Sequence, residues 1–369
     1  MRRRAFLSTT LAAFQLSAQS QNPDDRVFVY GDGIPHSPEE YARLLTTLAH
    51  AGIEVDDYSR GGIVEKLEQR FASILGKETA VWLPTGTLAN HLAVRLLASH
   101  GHRVIVQADC HLYNDCGDCA ETLSGLKLLP LATGHSTFTV DEVERAANDS
   151  LQGRVPSPIG AIQVETPVRR LHGQRFDFGE MQRVAAWARK RGIGLHLDGA
   201  RLFLECAYTN RSVRDYAALF DTVYVSLYKY FNAASGAVLA GPKSLLGDLY
   251  NTRRMFGGGL PQVWPFAAVA LHFVDGFEKR FQSAVEASEQ VISALSKDSN
   301  FEVQRFANGT NVFRLRPTGV NAPVYLDRLE TAGIAARQPV EGWLTMQVNE
   351  TWNRIPPTEL LSRFVKALG

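Results

Sequence analysis

Cysteine is scarce in this chain, with four among 369 residues, at 110, 116, 119 and 206. Three of them share the stretch "ADCHLYNDCGDCAE" with acids and a histidine. Zinc sites usually pair two such clusters at set spacings, and no second cluster follows, so no metal is expected. The stretch itself remains open to three readings: reduced thiols packed on a helix, a Cys116–Cys119 disulfide formed in an oxidising compartment, or a metal site. Charge of one sign is lacking too. The formal net charge is +1, which gives no broad attraction to nucleic acid or to an acidic membrane. Internal repeats, low-complexity tracts and long one-sign runs are absent after the first residues. So are both common nucleotide signatures: no Gly-Lys-Ser/Thr completes a phosphate loop, and no GxGxxG follows the first strand.

Long apolar runs are missing as well. The nearest approach is in "MRRRAFLSTTLAAFQLSAQSQN", where a basic start leads into a short apolar run ending near Ala18. That run is too short for a membrane span and has the form of an export signal over residues 1–20. The Arg3-Arg4-Ala5-Phe6-Leu7 start resembles the twin-arginine variant, which exports proteins already folded. An ordinary secretory signal is the alternative, and a cytoplasmic protein results if the signal is not used. The expected mature protein has no membrane span.

What is present is a globular composition, 45% hydrophobic and 21% charged, with alternating helical and strand patterns. "VEKLEQRFASILG" repeats its apolar residues at helical spacing and closes on Gly76. "TAVWLP", "RVIVQ", "GAIQVET", "IGLHLDG", "DTVYVSLYK" and "GAVLAG" are short apolar strands, separated by helices such as "GEMQRVAAWARKRG". Such alternation predicts an α/β fold, a mainly parallel sheet covered on both faces. It weakens after Leu249, where "QVWPFAAVALHFVDGFEKRFQSAVEASEQVISALSK" is one long helical pattern followed by a smaller α+β portion. The expected organisation is an interface segment over 21–60 belonging to neither core, a large domain over 61–250 and a small domain over 251–369.

Three pieces of chemistry fall where the carboxyl edge of such a sheet should lie, the usual place for a ligand. In "LPTGTLAN", Thr85, Gly86 and Thr87 open a helix whose free N–H groups can hold an anion, although Thr at a helix start is also an ordinary cap. In "RGIGLHLDGARLF", His196 and Asp198 share one strand face and Leu195 and Leu197 the other. A buried carboxylate needs a partner. That partner is either Arg201, giving a structural ion pair, or a cationic ring nitrogen, leaving Arg201 free to fork around a substrate carboxylate. In "DTVYVSLYKYFNAASGAVLAG", Lys229 ends an apolar run. It is either a solvated strand-end lysine or a desolvated amine with a lowered pKa, able to condense with an aldehyde. An anion cup, an acid for a ring nitrogen and an aldehyde-trapping lysine together are what pyridoxal phosphate requires.

With those segments in view, the chain resembles the threonine aldolase and β-eliminating lyase family of fold-type I pyridoxal phosphate enzymes. "LPTGTLAN", "HLDGARLF", "VSLYK" with "GAVLAG", and "RRMFGGGLPQ" carry the resemblance. It implies a large seven-stranded-type sheet domain with a smaller C-terminal domain. It also implies that Lys229 bonds the cofactor, Asp198 pairs with its ring nitrogen, Thr85, Gly86 and Thr87 hold its phosphate, and Arg201 holds the substrate carboxylate. His111 in "ADCHLYND" would stack on the ring and is a candidate base, as is a bound water. The activity implied is cleavage of Cα–Cβ in a β-hydroxy-α-amino acid, giving glycine and an aldehyde. β-Elimination, transamination and racemisation are the alternatives, with a non-enzymatic binding protein as a third. Homodimers or homotetramers are implied, with "DDYSRGGIVE" reaching a neighbour's site.

Several positions depart from the family. Its "ENTHN" corresponds to "VETPVRRLHGQ", with Val168 in place of the histidine and His172 nearby in a loop. "GGGMRQ" is "GGGLPQ", with Pro261 replacing an arginine; "RSDT" is replaced by "YGDGIP". A second carboxylate-binding arginine is reduced to Arg337, out of register. The cofactor apparatus is whole and the substrate apparatus altered.

Overall fold

The computed structural model describes residues 25–369, and the export signature lies outside the described residues. Seven strands form the main sheet in the order Thr79–Leu83, Ala237–Gly241, Thr222–Ser226, Gly194–Asp198, Ile159–Glu165, Arg103–Gln107, Lys127–Leu131. Only Ala237–Gly241 runs against its neighbours; the remaining pairings are parallel. The central strands are buried along their whole length, as expected when helices cover both faces.

Local chemistry sets the helix ends that matter. The Thr85 hydroxyl accepts from the Leu88 N–H at 3.2 Å and caps Gly86–Leu97, leaving the first-turn N–H groups of Gly86 and Thr87 outside the helical ladder. A Cβ on Gly86 would lie 2.0 Å from the Tyr224 hydroxyl, so no side chain can replace this glycine while Tyr224 stays in place.

The C-terminal portion is a three-stranded antiparallel sheet, Leu344–Gln347, Val312–Pro317 and Phe301–Arg305, backed by the helices Ala322–Thr331 and Pro357–Lys366. Two expectations change in the structure. The long helical pattern after Leu260 is two helices, Trp264–Val274 and Phe277–Leu295, divided at Asp275-Gly276, where Gly276 has φ +73°. The 21–60 segment does not stand outside the cores. Val27–Phe28 pairs in parallel with Ile334–Ala335, and Val27 and Val29 are fully buried in the main hydrophobic cluster. This segment also contains a helix, Pro38–His50, opened by a Ser37–Glu40 capping box. No helix among the described residues is long and apolar enough to cross a membrane.

Candidate active site

Thr85, Gly86, Thr87, His111, Asp198, Arg201 and Lys229 all line one cavity of about 1080 Å³ at the carboxyl edge of the parallel strands. The residues singled out from separate stretches of sequence are thus brought together.

Asp198 ends its strand with its carboxylate 1% exposed. One oxygen accepts from Asn90 Nδ2 at 2.6 Å and the other from the Ala200 N–H at 3.1 Å. Both donors are neutral, and no cation lies within ion-pair distance among the described residues. His196 shares the strand face as expected and completes a relay. Its Nε2 lies 2.9 Å from Asn90 Oδ1 and its Nδ1 2.9 Å from the Thr222 hydroxyl. Burial lowers the His196 pKa to about 4, so the ring is neutral. Because Asn90 donates through Nδ2, its Oδ1 must accept, which places the imidazole proton on Nε2.

The ion-pair alternative for Asp198 and Arg201 is not what forms. Arg201 Nε instead donates to Asp32 Oδ2 at 2.8 Å, with both side chains largely buried. Asp32 sits in the "YGDGIP" turn and is itself braced by Gln347, whose Oε1 also accepts from the Gly31 N–H at 2.7 Å. Binding through Nε alone leaves the two terminal nitrogens of the guanidinium fork for the cavity.

Lys229 lies three residues past the end of its strand, which stops at Ser226. Burial and then the nearby Arg201 guanidinium lower its pKa to about 8, while Asp198, Asp32 and Glu165 oppose the shift. Glu165 had no assigned role in the sequence. It accepts the His111 and Arg169 N–H groups at 2.6 and 3.0 Å, and burial together with the Asp198 charge pushes its carboxyl up to about 7. His111 stands between Thr87 and Asp115, with Nε2 3.4 Å from the Thr87 hydroxyl and Nδ1 3.4 Å from Asp115 Oδ2. Asp115 is held in turn by Arg169 and Arg170 at 2.6 and 2.8 Å.

Of the positions that depart from the family pattern, "YGDGIP" lines the cavity and four others lie elsewhere. Val168 is fully buried, and His172 stacks on Phe306 at 4.2 Å. Arg337 is exposed over the Tyr30 ring, and the Pro261 carbonyl accepts from the Tyr58 N–H. None of the four lines the cavity. The four cysteines are free thiols.

Asp32, Asn90, Asp115 and Glu165 are the site residues the sequence did not yield. Only Asp32 carries a local signal, an acid between two glycines ahead of a proline, in "GDGIP".

Residues 43–317 match the family model described as "Beta-eliminating lyase". Among curated relatives, "Aldolase vrtJ" of Penicillium aethiopicum is 31% identical over 62% of this chain and 58% of its own length. A "Probable low-specificity L-threonine aldolase" of Schizosaccharomyces pombe is 27% identical over 76% of this chain and 73% of its own. The chain thus spans less than two thirds of the first relative. A solved structure of a putative L-allo-threonine aldolase from Listeria monocytogenes superposes with a TM-score of 0.77, covering 93% of this chain and 95% of the other at 24% identity. The fold is that of fold-type I pyridoxal phosphate enzymes.

Proposed function

The chain belongs to the β-eliminating lyase family, and from that premise we propose that it is a pyridoxal phosphate-dependent lyase cleaving Cα–Cβ of a β-hydroxy-α-amino acid to glycine and an aldehyde. The observation that carries this reading is a buried carboxylate without a cation facing the same cavity as an amine with a lowered pKa. The residues fit the cofactor. Asp198 would hold the ring nitrogen, Lys229 the aldehyde carbon, Gly86 and Thr87 the phosphate and His111 the ring face. When bound, pyridoxal phosphate supplies an electron sink for the charge left at Cα as a bond there breaks.

The protein's own groups do the rest. Arg201, pinned through Nε by Asp32, presents its terminal nitrogens to the substrate carboxylate as a fixed fork. Lys229 can hold or release a proton near neutral pH. His111 is the acceptor for the β-hydroxyl proton. With Nδ1–H directed at Asp115, the Nε2 lone pair, 3.4 Å from the Thr87 hydroxyl, is the one that would take it. Glu165, titrating near 7, is a second group able to store a proton beside His111.

Lys229 gives the first prediction. A lysine lowered to about 8 becomes neutral, hence nucleophilic, as pH rises through that value. In protein freed of cofactor, the rate of Lys229 labelling by pyridoxal phosphate and borohydride should rise about tenfold per pH unit below 8 and level off above it. Peptide mapping across pH reads this directly. A profile still climbing at pH 10 would mean the amine is not desolvated.

A second reading, β-elimination or racemisation, is favoured by Val168, which leaves an apolar group where the family carries a histidine. Purified holoprotein incubated with threonine, allo-threonine, serine and L-alanine separates the two. We expect glycine and acetaldehyde from the first pair; pyruvate with ammonia, or D-alanine, without glycine would overturn the aldolase reading.

Leu44, Leu45 and Leu48 of the helix Pro38–His50 share a half-buried face, and the helix packs on Trp264–Val274. The expected homodimer or homotetramer belongs to the same proposal. Export directed by residues 1–20 belongs to the same reading.

A further inference from the structure

The sequence "CGDC" at 116–119 is not used by the mechanism, yet it stands behind the phosphate cup. Cys116 Sγ lies 3.8 Å from Thr87 Oγ1, the hydroxyl that His111 also faces. Between the two cysteines, Gly117 and Asp118 are both left-handed, with φ of 58° and 52°, and fold the chain into a tight turn. The turn holds the two buried thiols only two intervening residues apart in the chain.

We propose that Cys116 and Cys119 form a reversible disulfide site, closed by exchange with a small-molecule disulfide, whose closure draws the Cys116 sulfur away from Thr87. The exchange balances without another reactant. The Cys119 thiolate attacks one sulfur of the oxidant and releases one thiolate. Cys116, losing its proton, then attacks the mixed disulfide at Cys119 and expels the second. The two cysteines lose two electrons and two protons, and the oxidant leaves as two thiols.

The environment divides the labour in the direction this order needs. The hydrogen bond between the thiols lowers the Cys119 pKa and raises that of Cys116, so Cys119 is the thiol that ionises first. Closure takes the Cys116 sulfur out of its 3.8 Å contact with Thr87 Oγ1. Cysteines 110 and 206 have no such partner: burial leads in raising both well above the usual thiol range.

The effect on the cup rests on the proposed function; disulfide formation does not. The test equilibrates the holoprotein in buffers from fully reduced to fully oxidised glutathione. Alkylation after denaturation and peptide mass then count thiols, while cofactor release is followed separately by absorbance during dialysis. We expect both thiols to be lost together in one 116–119 disulfide peptide, reversibly. Cofactor release should quicken roughly fivefold, the order of one neutral hydrogen bond. The Cys119→Ser variant should release cofactor like the reduced protein and ignore the oxidant. Thiols that stay alkylatable in oxidised glutathione, or a mixed disulfide that persists at Cys119, would overturn the site. Unchanged release on oxidation, or an oxidant response surviving in Cys119→Ser, would overturn its link to Thr87. If no pyridoxal phosphate is captured at all, the functional reading fails, and the thiol count still decides the disulfide.

Discussion

Replacing Lys229 with alanine is expected to lower turnover by about ten-thousandfold or more and to leave the cofactor removable by dialysis. Among the described residues no other lysine lines the cavity, so no neighbouring amine there can substitute. The loss should appear in kcat rather than KM, because Arg201 and its Asp32 brace remain to bind the substrate carboxylate. Folding should survive, since Lys229 is desolvated in the native protein and its removal relieves that cost. The measurement is single-turnover kinetics with circular dichroism as the folding control. Residual activity within a hundredfold of the parent would mean that Lys229 is not the covalent anchor.

Asp198→Asn is expected to cost about a thousandfold in kcat, the order for removing one partner of a buried charge pair. The carboxylate has two neutral donors, Asn90 and the Ala200 N–H, and needs a cation to complete it. An amide at 198 gives the ring nitrogen no counter-charge and sets an N–H against one of those donors. Repair by rotating Asn90 is blocked, because its Oδ1 is already engaged with His196. The defect should therefore persist at saturating cofactor. If added pyridoxal phosphate restores full turnover, Asp198 only assists binding.

The parts of this site that could be read from sequence are those whose cause is local. A strand that runs out at an acid, a helix capped by threonine after a proline and a lysine after an apolar run each announce themselves within about ten residues. Asp32 does not, because its partner Arg201 is 169 positions away in the chain. Glu165 stands at the end of the strand "GAIQVET" with no local sign of a role. Burial raises its pKa, and Asp198 adds to the shift across a strand pairing that no single stretch reveals. The same distinction holds for the fold. Lys127–Leu131 went unread as a strand because Pro130 interrupts its pattern, which an edge position tolerates. The break at Asp275-Gly276 was hidden by apolar spacing that continues on both sides.

One further contact bears on the departure at "YGDGIP". Asn232, at φ 56°, occupies a backbone conformation usually left to glycine, and its Oδ1 accepts the Ile34 N–H at 2.8 Å. A Cβ at Gly33 would come within 2.3 Å of that same oxygen and of the Lys229 carbonyl. Positions 33 and 232 are therefore sterically coupled. Any side chain at 33 must displace both the Asn232 amide and the backbone that carries Lys229, so a substitution in this turn reaches the reactive amine.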